Sequence, residues 1–277
     1  MSKQSLLLAL LGLLSAPFTS VTAAVTHPSP GLPMAINTWG GPFTASTDAA
    51  FHILTSSPSS PNSTTTGTKL VLDAAEAGCA ACERSRCDLT VGRGGSPDER
   101  CETTLDAMIM DGGTLASGAV ASLRRVRDAV SVARAVLERT SHSMLAGDLA
   151  TRFAVENGFA EEVDHEGAGL STPESREACR AWRDEESCQP NYRSNVSPDP
   201  SSSCGPYRPL DLGAVPPQLG RRQASHDTVS LITLAPNPDN DEGKVFMASA
   251  TSTNGAAHKV PGRVGDGSIV GSGSYAD

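Results

Sequence analysis

Along most of this chain, apolar residues come in short runs between stretches rich in Gly, Pro, Ser and Thr. That pattern predicts modest strands and helices joined by frequent loops. The run over 34–39 predicts a first strand, and 44–54 a helix capped by Thr44 or Ser46. Residues 55–68 read as a loop, 69–83 as a helix, and 91–96 as a turn of small residues. An apolar strand is expected over 103–110, ending at Asp111-Gly112-Gly113. A helix is expected to start near Gly118, because Leu123, Val126, Val130, Ala133 and Leu137 recur at helical spacing. Arg124, Arg125, Asp128 and Arg134 should then form its solvated outer face. A further helix over 146–156 should stop at Asn157-Gly158. Residues 160–225 carry charge, Pro and Gly with little periodicity, so their order is expected to come from a cysteine-closed loop and from docking. Beyond them, 229–234 and 245–250 read as the strands of a hairpin joined by the turn over 237–243.

Residues 1–23 have a different texture. Lys3 precedes a short apolar core over 6–14, and Val21-Thr22-Ala23 supplies small residues before a cut, so the segment reads as a signal peptide. The expected destination is the lysosome or the exterior, by the secretory route. No later stretch reaches the roughly 18–20 apolar residues of a helical membrane span. The formal charge is −9, and losing 1–23, with Lys3 as its sole charge, would move it to −10. A balance of that sign argues against nucleic acid and anionic membranes as partners. Aromatic content is 4%, so a core must rest on Val, Leu, Ile, Ala and Met.

Seven cysteines in an oxidising compartment should mostly pair. Cys82 and Cys87 are close enough to close a tight loop, and Cys188 and Cys204 bracket a loop rich in Pro and Asn. Cys79, Cys101 and Cys179 are left open, and the odd count leaves a free thiol or an intermolecular bond. Cys79-Ala-Ala-Cys82 has no second such pair and no His at ligand spacing, so neither a metal nor another cofactor is expected. Asn62-Ser63-Thr64 and Asn195-Val196-Ser197 are glycosylation sequons. His52, His142, His165 and His258 are assigned surface or structural roles, and His27 lies in an extended N-terminal stretch.

The chemistry concentrates at His226-Asp227-Thr228, where a threonine opens an apolar run after a long polar connector. A backbone cut between Asp227 and Thr228 would make that threonine N-terminal. Its freed α-amine, with an ordinary pKa of about 7.7–8.0, would lie beside its own hydroxyl. A threonine activated by its own amine is a self-contained nucleophile and base.

Several segments then carry a resemblance: Ile36-Asn37-Thr38-Trp39, the stretch from Glu102-Thr103-Thr104-Leu105 to Asp111-Gly112, and Cys188-Gln189-Pro190-Asn191-Tyr192. So do His226-Asp227-Thr228, Thr251-Ser252-Thr253-Asn254-Gly255 and Gly262-Arg263-Val264-Gly265-Asp266. In this order, from about Pro33 to the last residue, the chain resembles the glycosylasparaginases. The resemblance implies an α+β fold, a four-layer αββα sandwich of the N-terminal nucleophile hydrolase type. It implies a precursor that cuts itself before Thr228, with 24–227 as α-chain part and 228–277 as the start of a β chain. The mature enzyme would hydrolyse the amide joining N-acetylglucosamine to the asparagine side chain, as an (αβ)₂ hetero-tetramer acting on a small-molecule substrate.

The implied roles are specific. Thr228 is the nucleophile in both reactions, His226 and Asp227 shape the bond to be cut, and Thr90 is the small hydroxyl residue near it. Thr253 supports the nucleophile, and Trp39 walls the substrate site. Arg263 holds the substrate α-carboxylate with a two-pronged contact that lysine lacks. Asp266 takes the α-ammonium. In the related isoaspartyl peptidases and plant-type asparaginases the residue before the nucleophile is glycine, so Asp227 favours the glycosylasparaginase branch. The family pattern continues beyond the position matching Asp277, with a Thr-Gly pair that forms the oxyanion hole, so a truncated β chain is expected. Two other readings stay open: an isoaspartyl peptidase or L-asparaginase, and a non-catalytic secreted binding protein. Singly, Thr228 could be a plain strand start, Trp39 a core aromatic and Arg263–Asp266 a surface ion pair of modest value.

Overall fold

The computed structural model describes residues 31–56, 64–162, 169–211, 228–237 and 244–277. The expected signal peptide over 1–23, together with His27, Asn62, His165, His226, Asp227 and residues 238–243 of the expected turn, lies outside the described residues. The chain runs through β1 (Met34–Asn37), α1 (Thr44–Ser56), α2 (Thr64–Ser85), β2 (Leu105–Asp111), β3 (Ser117–Leu123), α3 (Ala129–Arg139) and β4 (Leu145–Ala146). It continues through α4 (Gly147–Glu156), α5 (Pro173–Asp184), β5 (Val196–Ser197), β6 (Arg208–Pro209), β7 (Val229–Pro236) and β8 (Val245–Thr253).

Six strands form one mixed sheet in the order β1-β7-β8-β2-β3-β4, antiparallel except for the β3–β4 pair. The expected hairpin is present: β7 and β8 pair from Val229 opposite Ser252 to Pro236 opposite Val245. Along β7, Val229, Leu231, Thr233 and Ala235 are buried, a period of two that aims one face at the helices. Thr233 confirms the direction, since its hydroxyl donates to the Val71 carbonyl of α2. Helices α1, α2 and α3 cover this face, and the core they enclose is built mainly from aliphatic and small residues such as Val71, Ala74, Leu105, Ile109, Val130 and Leu231. Against the other face, the 3₁₀ turn Asp266–Ser268 lies on β2 and β8, and the Thr251 hydroxyl donates to the Gly267 carbonyl.

Several expectations are corrected. The helix expected to start near Gly118 is a strand through Leu123, followed by a helix from Ala129. Residues 118–123 are buried on both faces and the strand pairs with β2, so their apolar run carries no period. Gly118 also lets α3 pack closely, since a Cβ there would come within 2.8 Å of the Leu137 Cβ. Arg134 is not on a solvated face. It is 6% exposed, with its guanidinium facing Asp73 and Glu76 of α2 and bonded to Glu138 one turn along its own helix. Arg124 and Arg125 leave the helix altogether and pair with Glu102, Asp148 and Glu161 beyond the end of β3. Finally, α2 begins at Thr64, inside the expected loop, and α5 lies where no element was expected.

Helix α5 opens with a reciprocal cap. The Thr172 hydroxyl accepts from Ser175 N–H, and the Ser175 hydroxyl accepts from Thr172 N–H. It buries Cys179 and Trp182 against the rest of the protein. The proposed Cys82–Cys87 and Cys188–Cys204 bridges are present, and Cys101 pairs with Cys179. The remaining thiol, Cys79, is buried in α2, where burial pushes it up.

One turn beyond Cys79, Glu83 is buried beneath the sheet. Its Oε1 accepts from the Val130 N–H at the start of α3 (2.9 Å) and from the Ser252 hydroxyl of β8 (2.6 Å). Its Oε2 has no partner among the described residues. Burial outweighs these hydrogen bonds and pushes the carboxyl up to about 8.

Candidate active site

Thr228 immediately precedes the hairpin strand β7, and the residues around it enclose a cleft of about 350 Å³. Its lining includes Thr38, Trp39, Thr228, Ser230, Thr253, Arg263 and Asp266. The N-terminal wall follows from β1, which pairs with β7 and carries the chain into Thr38 and Trp39 beside Thr228. Two donors from this wall converge on the Thr228 carbonyl: the Trp39 indole at 3.1 Å and the Thr38 hydroxyl at 3.3 Å. The Thr38 hydroxyl also accepts from Ser230 N–H at 3.2 Å, so it spans the first turn of pleat in β7. Trp39 is 43% exposed and stands at the cleft rather than in the core.

The floor comes from the end of β8. Thr253 is buried, and its hydroxyl accepts from Gly255 N–H at 2.9 Å. The turn after it is bound on several sides. Asn254 N–H donates to the Thr90 carbonyl (2.8 Å), and its side-chain amide donates to the carbonyls of Leu89 and Gly92 (both 3.1 Å). Below, Gly267 closes on Thr228. A Cβ at that position would lie 2.8 Å from the Thr253 methyl and 3.2 Å from the Thr228 methyl.

Arg263 and Asp266 form the remaining wall, and both are exposed. They do not pair with each other, and among the described residues neither forms a salt bridge. A guanidinium and a carboxylate held apart over one small cleft can receive a molecule carrying both an anion and a cation. The supporting loop is locked by Lys259, which is buried and donates to the carbonyls of Ser96 (2.9 Å) and Asn254 (2.8 Å). Desolvation pushes its amine down to about 8, against the pull of the Asp106 and Asp98 carboxylates. Next to it, His258 stacks on Trp182 with ring centroids 4.0 Å apart, and burial with the Lys259 charge holds it down to about 4.

The structure thus gathers Thr228, Thr253, Arg263, Asp266 and Trp39 around one cleft. Thr90 stands behind it: its hydroxyl donates to the Cys87 carbonyl, and its own carbonyl holds Asn254. His226 and Asp227 lie outside the described residues. Sequence reasoning gave no role to Thr38, Ser230 or Gly267. Thr38 was legible as a hydroxyl residue beside Trp39, but nothing local signals that it meets residue 228.

Comparison with known proteins gives a consistent picture. The Asparaginase_2 family model, described as asparaginase, matches residues 54–277. A mouse protein named N(4)-(beta-N-acetylglucosaminyl)-L-asparaginase is 47% identical over 249 residues, covering 89% of this chain and 64% of the mouse one. The rat protein of that name is 47% identical over 248 residues, with the same two coverages. A Drosophila yakuba protein, whose name assigns the same activity provisionally, is 47% identical over 255 residues, covering 89% of this chain and 58% of the fly one. This chain therefore spans about three fifths of the length of these relatives.

Proposed function

This chain belongs to the asparaginase family, and from that premise we propose that it acts in an amidohydrolase cleaving the bond between N-acetylglucosamine and an asparagine side chain. One observation carries the reading: the hydroxyl-bearing Thr228, just before β7, opens into the same cleft as an arginine and an aspartate that do not pair with each other. A free asparagine backbone has the complementary pair of charges, with its side-chain amide a short distance away.

In the first reaction, the Thr228 hydroxyl attacks the carbonyl of Asp227 and shifts the acyl group from nitrogen to oxygen. The shift breaks the peptide C–N bond and frees the Thr228 α-amine, and water then cleaves the ester, releasing Asp227 as a carboxylate and restoring the Thr228 hydroxyl. His226 and Asp227 set the geometry of that bond, with Thr90 beside it. In the second reaction the α-amine takes the hydroxyl proton as Oγ1 attacks the substrate β-amide carbonyl. The glycosylamine leaves with a proton, and water hydrolyses the resulting β-aspartyl ester to aspartate. Arg263 binds the α-carboxylate through two parallel hydrogen bonds and Asp266 binds the α-ammonium. Thr253 supports the nucleophile and Trp39 walls the site. The reading includes a four-layer αββα architecture, an (αβ)₂ assembly and passage through the secretory route to the lysosome or the exterior.

The test is chemical. The purified protein, with no protease added, should contain a chain whose first residue is Thr228, identified by mass spectrometry. Thr228→Ala should abolish both the cut and hydrolysis, while Thr228→Ser should retain part of each. Release of aspartate from N-acetylglucosaminyl-asparagine, at a rate well above that on isoaspartyl dipeptides, is expected. The reverse preference would assign the isoaspartyl peptidase activity, and no turnover of either would leave a binding protein.

A further inference from the structure

Asp106 lies in β2, 3% exposed, and is not among the residues lining the cleft. Its two oxygens serve two separate segments. Oδ1 accepts from Ser122 N–H at 2.7 Å, and Oδ2 accepts from Gly265 N–H at 2.8 Å. Ser122 sits where the β2–β3 register shifts between Leu105 and Ala107, and its φ of 48° is left-handed. From there its hydroxyl donates to the Arg263 carbonyl at 3.2 Å. The loop is therefore gripped on both sides of Val264, at residues 263 and 265, immediately before Asp266. A Cβ on Gly265 would fall 2.7 Å from an Arg263 guanidinium nitrogen and 3.0 Å from Asp106 Oδ2, so the guanidinium crosses the loop close to this carboxylate. The buried Lys259 ammonium lies within electrostatic reach of the same group.

We infer that Asp106 is the positioning residue that sets the separation of Arg263 and Asp266, and so makes the cleft selective for a molecule with α-carboxylate and α-ammonium groups at fixed spacing. The inference rests on the hydrolase reading for what the two side chains hold. The chemistry demands a carboxylate here. Two N–H donors from different strands and loops point at one side chain, and only a group with two acceptor oxygens and no donor satisfies both. Asparagine satisfies one and turns its own N–H₂ toward the other. Glutamate carries an extra methylene into a site with no exposed room. Release of Gly265 frees the segment on which both charged side chains ride, while Thr228, Thr253 and Trp39 keep their own supports.

Two measurements on the mature enzyme test this. The first is turnover of a β-aspartyl arylamide with free α groups. The second is calorimetric binding of aspartate, which requires no catalysis. Asp106→Asn should raise KM and weaken aspartate binding together, each by roughly tenfold or more, with kcat within about threefold. Ser122→Ala, which removes one bond to the loop without touching the carboxylate, should move both in the same direction by about threefold. It also carries the test if Asp106→Asn does not fold. A variant that only lost folded protein would lower the rate and leave KM and the aspartate Kd unchanged, and that result overturns the inference. If the wild type binds aspartate but turns over no β-aspartyl amide, the hydrolase reading falls, and the aspartate Kd of the variants alone decides the role of Asp106. If the wild type binds no aspartate, both fall.

Discussion

Replacing Glu83 by Gln should change the stability of this protein in a direction that depends on pH. The carboxyl is raised from 4.5 to about 8, chiefly by burial. The folded protein therefore keeps the proton across a range in which the unfolded chain has lost it. The contribution of Glu83 to stability is greatest below pH 4.5, declines as the pH rises through the interval, and reaches its floor above about 8. At about 1.4 kcal/mol per pKa unit, the full swing is on the order of 5 kcal/mol. Glutamine is uncharged at every pH. It keeps the acceptor used by Val130 N–H and the Ser252 hydroxyl and places its amide where Oε2 now stands unpartnered. At pH 4.5 the two proteins should unfold at nearly the same denaturant concentration. At pH 7 the Gln variant should be more stable by about 3 kcal/mol, and the gain should level off above pH 8. Urea titrations of both proteins at pH 4.5, 7 and 9 provide the measurement. A difference that does not vary with pH, or a variant that loses ground as the pH rises, would refute the argument that Glu83 is held neutral.

Four further outcomes are expected. Arg263→Lys should raise KM about tenfold or more with little loss of kcat, because a point charge cannot make the two-pronged contact, and amidating the substrate α-carboxylate should remove the difference between the two enzymes. Gly267→Ala should lower kcat by at least tenfold in steady-state assays, since the new methyl would press on the Thr228 and Thr253 side chains. Because His258 is held down to about 4, the folded protein resists the protonation that the unfolded chain accepts near 6.5, and stability is lost as pH falls through that window. His258→Phe, which keeps a ring on Trp182, should flatten that acid limb in thermal melts. Removing Cys101–Cys179, with a separation of 78, should cost about 4.5 kcal/mol by loop entropy, and removing Cys82–Cys87, with a separation of 5, about 2 kcal/mol. Chemical denaturation of the two double-alanine variants compares them.

The elements that were legible in the sequence are those whose burial is one-sided. Strand β7 alternates buried and partly buried residues from Val229 to Ala235, and its period of two reads directly. Strand β3 does not, because residues 118–123 are buried on both faces, and a run such as Gly-Ala-Val-Ala-Ser-Leu looks the same ahead of a helix or within a sheet. Helix α5 escaped notice because it rests on a cap, a disulfide and one tryptophan, and the rest of its surface is polar. At the site, short motifs marked Trp39, Thr228, Thr253, Arg263 and Asp266 one by one. Their support comes from residues far along the chain: Thr38 reaches Ser230, and Asp106 reaches Gly265. Contacts of that range leave no local pattern.

The strand order has a mechanical consequence. The β7–β8 hairpin, which follows Thr228, is inserted between β1 and β2, both of which precede it. Every strand border of the hairpin, at Met34–Asn37 on one side and Leu105–Asp111 on the other, is shared with the earlier part of the chain. If the backbone were severed ahead of Thr228, neither piece could leave by sliding from an edge, because the later piece is clasped on two flanks. Separation would require two ladders to unzip at once. The two pieces would stay in register, and a fresh chain end at Thr228 would remain moored by its carbonyl to Thr38 and Trp39.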